Sequence, residues 1–158
     1  MLDTSTRLLF DDTHDAFRET VRRVVGGLDL DRFEREGMAD RAAWKSAGDA
    51  GLLCPGVPEA YGGLGLDFSY NAIVGEEVSY AGAAAGWTLQ SDIVADYILH
   101  YGSEEQKRRW LPGMVSGDVV SAIAMTEPGA GSDLQGMKTA ARRDGNGWRL
   151  SGSKTYIT

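Results

Sequence analysis

The sequence predicts an α+β protein: an all-helical N-terminal domain over residues 1–117, followed by the beginning of a β domain over residues 118–158. In the first part apolar residues recur at spacings of three and four, which is the period of an amphipathic helix. After Gly117 apolar and polar residues alternate, which is the period of a strand. Residues 156–158 read as a strand with no closing turn, so we expect the chain to stop inside its second domain.

Two helices and a long loop are predicted first. The first helix should begin at Asp12, a favourable capping residue, and the second should cover residues 40–50. Between residues 52 and 68 prolines and paired glycines exclude regular structure. Because apolar residues separate them, we expect this loop to pack against the helices.

Three further helices follow the loop. One begins near Phe68, and the next carries a wide apolar stripe over residues 89–101. Ser103 and Gln106 have the S-x-x-Q spacing of a capping box, which opens the last helix. Pro112 and the glycine after it should end that helix.

The second part predicts strands. The segment "DVVSAIAM", residues 118–125, is rich in β-branched residues and indicates one strand. The tetrapeptide "DGNG", residues 144–147, indicates a tight turn between two more.

Charge and composition exclude several functions. Sixteen basic and twenty-three acidic side chains give a net charge of −7, which argues against a nucleic-acid partner. The single cysteine, Cys54, can form no intrachain disulfide, which favours a reducing compartment and a core position for its thiol. We find no secretory signal and no apolar run long enough to span a membrane, so we expect a cytoplasmic protein.

The most unusual segment is "AMTEPGAGSDLQGMKT", residues 124–139. Gly129 and Gly131 permit either a tight turn or a close approach of the backbone to a ligand. Asp133 fits as the cap of a turn that follows it. The segment lacks the third glycine of a dinucleotide fingerprint and the G-K-[ST] of a P-loop. Composition alone leaves a structural turn and a ligand cradle both open.

Residues 124–136 also resemble the N-terminal signature of the acyl-CoA dehydrogenase family. The matching residues are Ala124, Met125, Thr126, Glu127, Ala130, Gly131, Ser132, Asp133 and Gly136. Three other stretches resemble the family in order and spacing: "GLLCPGVPEAYGGLGLDF", "YGSEEQKRRWLPGMVSG" and "GSKTYIT". The resemblance covers residues 14–158 and is greatest to long-chain-specific members.

The resemblance implies a β-barrel-like second domain and an FAD cofactor. It implies oxidation of an acyl-CoA substrate to trans-2-enoyl-CoA in fatty acid β-oxidation, in which a glutamate removes the α-proton and the β-hydride passes to flavin N5. It further implies electron-transfer flavoprotein as the acceptor and a homotetramer or homodimer as the full-length assembly. The catalytic glutamate would belong to a C-terminal domain, so we expect these 158 residues alone to be inactive.

The site residues that the resemblance implies lie near the two ends of the second part. Those that would contact FAD are Ile123, Ala124, Met125, Thr126, Gly131, Ser132, Tyr156, Ile157 and Thr158. Ser132 would also touch the substrate. Tyr156 stands where most members carry a tryptophan packed on the flavin, and Thr158 would lie near flavin N5 or O4. No catalytic residue and no metal ligand is assigned.

The resemblance also places the acyl tail along the apolar stripe in the first part, with Gln90, Ser91 and Val94 able to help set its length. Other members of the same fold give rival interpretations: an acyl-CoA oxidase, a flavin monooxygenase or a nucleic-acid-associated relative. A non-catalytic helical interaction module is a further alternative, against which the intact signature argues.

Overall fold

The computed structural model describes residues 9–83 and 85–157. The chain divides into two compact units, one ending at Ser121 and the other beginning at Ala122. Thr158, one of the predicted FAD contacts, lies outside the described residues.

Six α-helices form the described part of the first unit. They are α1 (Asp12–Gly26), α2 (Leu30–Glu36), α3 (Arg41–Asp49), α4 (Phe68–Tyr80), α5 (Ala95–Tyr101) and α6 (Glu104–Val115). A π-helical segment, Leu89–Val94, leads directly into α5, and a 3₁₀ turn, Glu59–Tyr61, lies in the long loop. None of the helices that the structure describes has both the length and the apolar character needed to cross a membrane.

Local side-chain caps set several helix starts. Asp11, one residue earlier than predicted, caps α1 in a reciprocal capping box with His14. The predicted capping box of Ser103 and Gln106 is confirmed at the start of α6. Three backbone N–H groups in the first box and two in the second, which the helix cannot pair internally, receive a side-chain acceptor.

The larger core of the first unit lies where α1 packs against α4. Its largest buried members are Val21, Val25, Phe33, Trp44, Leu52, Leu53, Ile73, Val74, Val78 and Trp87. A smaller core contains Cys54, Val57, Ala95, Leu111 and Met114. The loop over residues 52–68 contributes side chains to both cores, which confirms the prediction that it is packed.

The last helix does not end at Pro112. It continues to Val115 with Pro112 inside it, although proline there removes one helical hydrogen bond and costs about 3 kcal/mol. Leu111 and Met114, on either side of the proline, are 0% and 1% exposed. Their burial offsets the local cost, so packing extends a helix that the sequence pattern predicts to stop. The short helix α2 was not predicted either.

The π-helical segment changes which residues face the core. Gln90 and Ser91 are buried, whereas Leu89 and Ile93 remain 38% and 39% exposed. A π turn holds one residue more than an α turn, so it rotates the following side chains relative to an ideal stripe. Much of the predicted apolar stripe is therefore exposed in this unit.

The second unit contains an antiparallel hairpin of β1 (Ala140–Asp144) and β2 (Gly147–Ser151). Gly145, with φ of 60°, occupies the first central position of its two-residue turn, where a type II′ turn requires glycine. This hairpin is the one that the "DGNG" motif predicts.

Two other predicted strands are wrong within the described residues. Residues 118–125 join no strand ladder. Tyr156 has φ of 54°, and a strand requires negative φ at every residue, so residues 156–157 do not form one. Strand propensity alone was insufficient because a strand also needs a paired neighbour.

Candidate functional site

The candidate site begins with a tight turn at the centre of the signature, residues 124–136. The N–H of Glu127 donates to the Ala130 carbonyl at 3.0 Å, and the N–H of Ala130 donates to the Glu127 carbonyl at 3.1 Å. Pro128 and Gly129 occupy the two central positions, and proline's fixed φ suits the first of them.

The Glu127 carboxylate anchors this turn to the chain that follows. Its oxygens accept hydrogen bonds from the N–H groups of Lys138 at 2.7 Å and Thr139 at 2.9 Å, and from Lys154 Nζ at 3.0 Å. These donors, the Lys138 N–H foremost, lower the pKa of Glu127 to about 2. The carboxylate is thus ionised, and the Lys154 ammonium offsets its negative charge beside the turn.

Lys154 and Thr155 hold the backbone just before the turn. Lys154 Nζ donates to the Met125 carbonyl at 2.9 Å, and the Thr155 N–H donates to the Thr126 carbonyl at 3.1 Å. The signature and the segment "GSKTYIT" are therefore adjacent, although 29 residues separate Met125 from Lys154.

Several hydrogen-bond donors of the signature have no protein partner. Within the described part of the chain, the N–H groups of Met125, Thr126, Gly131 and Ser132 make no hydrogen bond. The hydroxyls of Thr126 and Ser132 likewise have no partner among residues 9–83 and 85–157. The carbonyls of Met125 and Thr126 are hydrogen-bonded, whereas the four N–H groups have no partner in this part of the chain, so the segment suits a ligand rich in acceptor atoms.

Gly129 in the turn and Gly131 just after it are not required by the contacts of the described residues. Neither Gly129 nor Gly131 has a left-handed φ. A Cβ added at either position would meet no described atom within 4 Å. Glycine here therefore leaves room for a group that would come close to the backbone, which is what a ligand cradle needs.

Asp133 has the role that the sequence predicts. Its carboxylate accepts from the N–H of Gln135 at 3.1 Å and caps the 3₁₀ turn Leu134–Gly136. This carboxylate, like that of Glu127, accepts hydrogen bonds from backbone N–H groups.

The other predicted FAD contacts are less closely joined to the turn. Ile123 is half-buried and Ala124 exposed in extended chain before the turn. Tyr156 is 93% exposed and Ile157 43% exposed, directly after Lys154 and Thr155. No hydrogen bond within the described residues joins Tyr156 or Ile157 to the turn.

Lys154 is the residue that sequence reasoning missed. It lies inside a recognised motif, and its charge is opposite to that of Glu127 in the signature. These opposite charges in two recognised motifs were the signal from which the contact between Lys154 and Glu127 could have been predicted.

In the first unit Gln90 and Ser91 are both engaged in hydrogen bonds. Gln90 Nε2 donates to the Met114 carbonyl at 2.9 Å, and its Oε1 accepts from the Ser121 N–H at 2.8 Å. Ser91 Oγ accepts from the Cys54 N–H at 2.9 Å. Val94 is half-buried in the smaller core.

Fold and site together define a class of protein: a helical domain followed by the start of a β domain, with N–H groups on both sides of its first turn that have no partner among the described residues. The sequence profile of the acyl-CoA dehydrogenase N-terminal domain matches residues 11–118, and that of the middle domain matches residues 122–158. The chain belongs to the acyl-CoA dehydrogenase family.

Known relatives agree with this assignment. The mitochondrial long-chain specific acyl-CoA dehydrogenase of Sus scrofa is 45% identical over 162 aligned residues, covering 100% of this chain and 38% of the relative. The crystal structure of an acyl-CoA dehydrogenase from Geobacillus kaustophilus matches with a TM-score of 0.89 and 42% identity, covering 96% of this chain and 41% of that one. A glutaryl-CoA dehydrogenase from Mycobacterium smegmatis, solved in complex with FADH2, matches with a TM-score of 0.81 and 30% identity, covering 95% of this chain and 40% of that one. The chain thus spans about two fifths of the length of these relatives.

Proposed function

We propose that the chain is part of an FAD-dependent acyl-CoA dehydrogenase that oxidises an acyl-CoA to its trans-2-enoyl form. The observation that carries this proposal is the set of N–H groups on Met125, Thr126, Gly131 and Ser132 that have no partner among the described residues, beside the hydrogen-bonded carbonyls of Met125 and Thr126. Family membership and the FADH2 complex of the mycobacterial relative support the choice of cofactor.

The chemistry of the donor set fits a flavin. The pyrimidine edge of an isoalloxazine ring carries carbonyl oxygens and ring nitrogens that accept hydrogen bonds. The N–H groups of Met125 and Thr126, with the Thr126 hydroxyl, would bind and orient that edge. When bound, the flavin would supply the hydride acceptor, while the protein would supply position and electrostatics.

Ser132 is assigned to the boundary between cofactor and substrate. Its exposed hydroxyl and N–H have no partner in the described part of the protein. We assign it to the thioester end of the acyl-CoA, and Tyr156 and Ile157 to contacts with the ring. Thr158 belongs to the same assignment, on the resemblance alone.

Three glutamates of this chain, Glu76, Glu77 and Glu127, are unsuited to remove the α-proton of the substrate. Glu76 and Glu77 are paired with Arg18 at 2.8 and 2.7 Å, and Arg22 contacts Glu77 as well. Burial is the largest single influence and would raise the pKa of Glu77, but hydrogen bonds from Arg22 and Arg18 together lower it. Glu127 is ionised and held by three donors. A general base works best with a pKa near the operating pH, so the proposal gives that role to a different residue.

For the substrate we propose a long-chain acyl-CoA, supported by the 45% identity to the long-chain specific enzyme of Sus scrofa. The partly exposed apolar side chains of Leu89, Ile93 and Tyr97 offer a surface for an acyl tail. Electron-transfer flavoprotein as acceptor and a homo-oligomeric assembly complete the proposal.

The test uses the full-length protein. Its visible spectrum should show bound oxidised flavin, and anaerobic addition of acyl-CoAs of graded length should bleach that absorbance. Long-chain substrates should bleach it at the lowest concentration. A colourless protein that takes up no added FAD would contradict the proposal, and rapid reoxidation in air would identify an oxidase instead.

A matched pair of variants tests the site. Thr126→Val removes a free hydroxyl of the signature and should weaken FAD binding. Thr20→Val removes a hydroxyl of α1 that donates to the Ala16 carbonyl and accepts from Arg23, and FAD binding should stay unchanged. Equal FAD affinity in the two variants would count against the assignment of Thr126.

A further inference from the structure

Lys154 is a cation placed on one side of the Met125–Thr126 peptide. Its Nζ donates to the Met125 carbonyl at 2.9 Å and to Glu127 Oε1 at 3.0 Å. The Met137 sulfur lies 3.7 Å away. The ammonium is thus surrounded by acceptors that belong to the signature and the chain just after it.

This contact fixes the direction of one particular N–H group. The carbonyl of Met125 and the N–H of Thr126 belong to the same planar trans peptide, so they point in opposite directions. Holding the Met125 oxygen towards Lys154 therefore aims the Thr126 N–H the other way. That N–H is one of the donors with no partner among the described residues.

Glu127 holds the lysine in place. The Glu127 side chain is 6% exposed and that of Lys154 is 25% exposed. Two backbone N–H groups, those of Lys138 and Thr139, fix the carboxylate independently of the lysine. The ammonium is therefore held against a rigid anion and cannot drift into solvent as an unpaired surface lysine would.

We propose that Lys154 is a positioning residue for the cofactor: held by Glu127, its ammonium orients and polarises the Met125–Thr126 peptide so that the Thr126 N–H binds the flavin more strongly. This inference rests on the proposed function. A cation on the carbonyl side strengthens the N–H as a donor, because charges and hydrogen bonds in series polarise one another. A stronger donor stabilises the reduced flavin ring more than the oxidised ring, because the reduced ring carries more electron density.

The inference is tested on the full-length enzyme, freed of FAD and titrated with it. Lys154→Met keeps most of the side-chain volume but removes the charge. We expect FAD to bind several-fold and up to about tenfold more weakly, since a misdirected Thr126 N–H forfeits at most one neutral hydrogen bond to the flavin. We also expect a lower reduction potential for the flavin that remains bound. A purely structural role would lower the melting temperature of the apoprotein and leave that potential unchanged.

Two further variants separate charge from folding. Lys154→Arg keeps the cation and should restore part of the affinity and of the potential. Arg149→Met removes an exposed cation of the same unit, which is paired with Asp144 at 2.7 Å, and both quantities should stay at the wild-type values.

The outcomes distinguish this inference from the function on which it rests. Wild-type protein that binds no FAD contradicts the proposed function. Wild-type protein that binds FAD, with Lys154→Met equal to it in affinity and potential, overturns the positioning role alone. Should Lys154→Met fail to fold, Glu127→Gln removes the charge that holds the lysine without removing the lysine itself. Wild-type affinity and potential in that variant would equally overturn the role.

Discussion

Arg18 and Glu77 form a buried ion pair between α1 and α4, with Nη1 and Oε1 2.7 Å apart and side chains 2% and 7% exposed. Glu76, Arg22 and Glu19 extend the pair into a network of five charges among the described residues. Removing one member of a buried pair leaves the other uncompensated, which typically costs about 3–5 kcal/mol. Arg18→Met would leave the buried Glu77 carboxylate with Arg22 as its remaining cation, so we expect a smaller loss in the free energy of unfolding of the first unit, about 2 kcal/mol, measured by urea titration.

An exposed pair in the same unit provides the control. Arg32 contacts Glu36 at 2.9 Å, but both side chains are nearly half exposed. Solvent screens such a pair, so Arg32→Met should change the urea midpoint far less than Arg18→Met. Equal effects would show that burial does not set the strength of the Arg18 pair.

A second prediction concerns the contact between Gly48 in α3 and Ser116 after α6. A Cβ at Gly48 would lie 2.3 Å from the Ser116 carbonyl oxygen, a backbone atom that cannot move alone. We expect Gly48→Ala to destabilise the protein by about 1–3 kcal/mol, as overpacking does. The measurement is the thermal midpoint of the first unit.

Gly26→Ala is the matched substitution. Gly26 is the last residue of α1, and a Cβ there would meet no described atom within 4 Å. Alanine favours helix by up to about 1 kcal/mol over glycine, so this variant should be neutral or more stable. If both variants lost stability alike, steric contact at Gly48 would not be the cause.

A third prediction concerns the reactivity of the thiol. Cys54 is 1% exposed, and burial raises its pKa to about 12. The thiolate is the reactive form, so native protein at pH 8 should resist iodoacetamide. Labelling should become complete in denaturant. Rapid labelling of the native protein would contradict the buried position.

A fourth prediction follows from the lowered pKa of Glu127, about 2 against 4.5 for an unperturbed glutamate. The folded state holds this group deprotonated more strongly than the unfolded state does. Its stabilising contribution is therefore complete above about pH 4.5 and is lost as the pH falls towards 2. The difference in melting temperature between wild type and Glu127→Gln should shrink over that interval.

The control for this pH series is Glu34→Gln. It removes an exposed carboxylate of α2 that has no hydrogen bond in the described part of the chain, and so it reports the loss of one negative charge. A wild-type to Glu127→Gln difference that stayed constant from pH 6 to pH 3 would refute the role of ionised Glu127.

Local signals in the sequence predicted much of the fold correctly. The capping box of Ser103 and Gln106 was readable because its two partners are three residues apart. The hairpin was readable because "DGNG" contains the turn and both neighbouring strands alternate. Asp133 was likewise assigned as a cap because its acceptor role involves only the next turn.

Features that depend on distant contacts were missed or predicted wrongly. Pro112 lies inside α6 because Leu111 and Met114 are buried around it. Residues 118–125 have the composition of a strand but no paired neighbour among the described residues. The predicted FAD contacts at Tyr156, Ile157 and Thr158 stay predictions.

By itself the sequence determined the family, the order of most helices, the hairpin and the segment where a cofactor is expected. Each of these depends on residues that are close together in the chain. Tertiary structure alone decided that Lys154 meets the Met125 carbonyl and Glu127, which lie 29 and 27 residues away. A periodic pattern records which face of an element is apolar. It does not indicate which distant charged side chain will contact a given peptide group, since that depends on how the chain folds back.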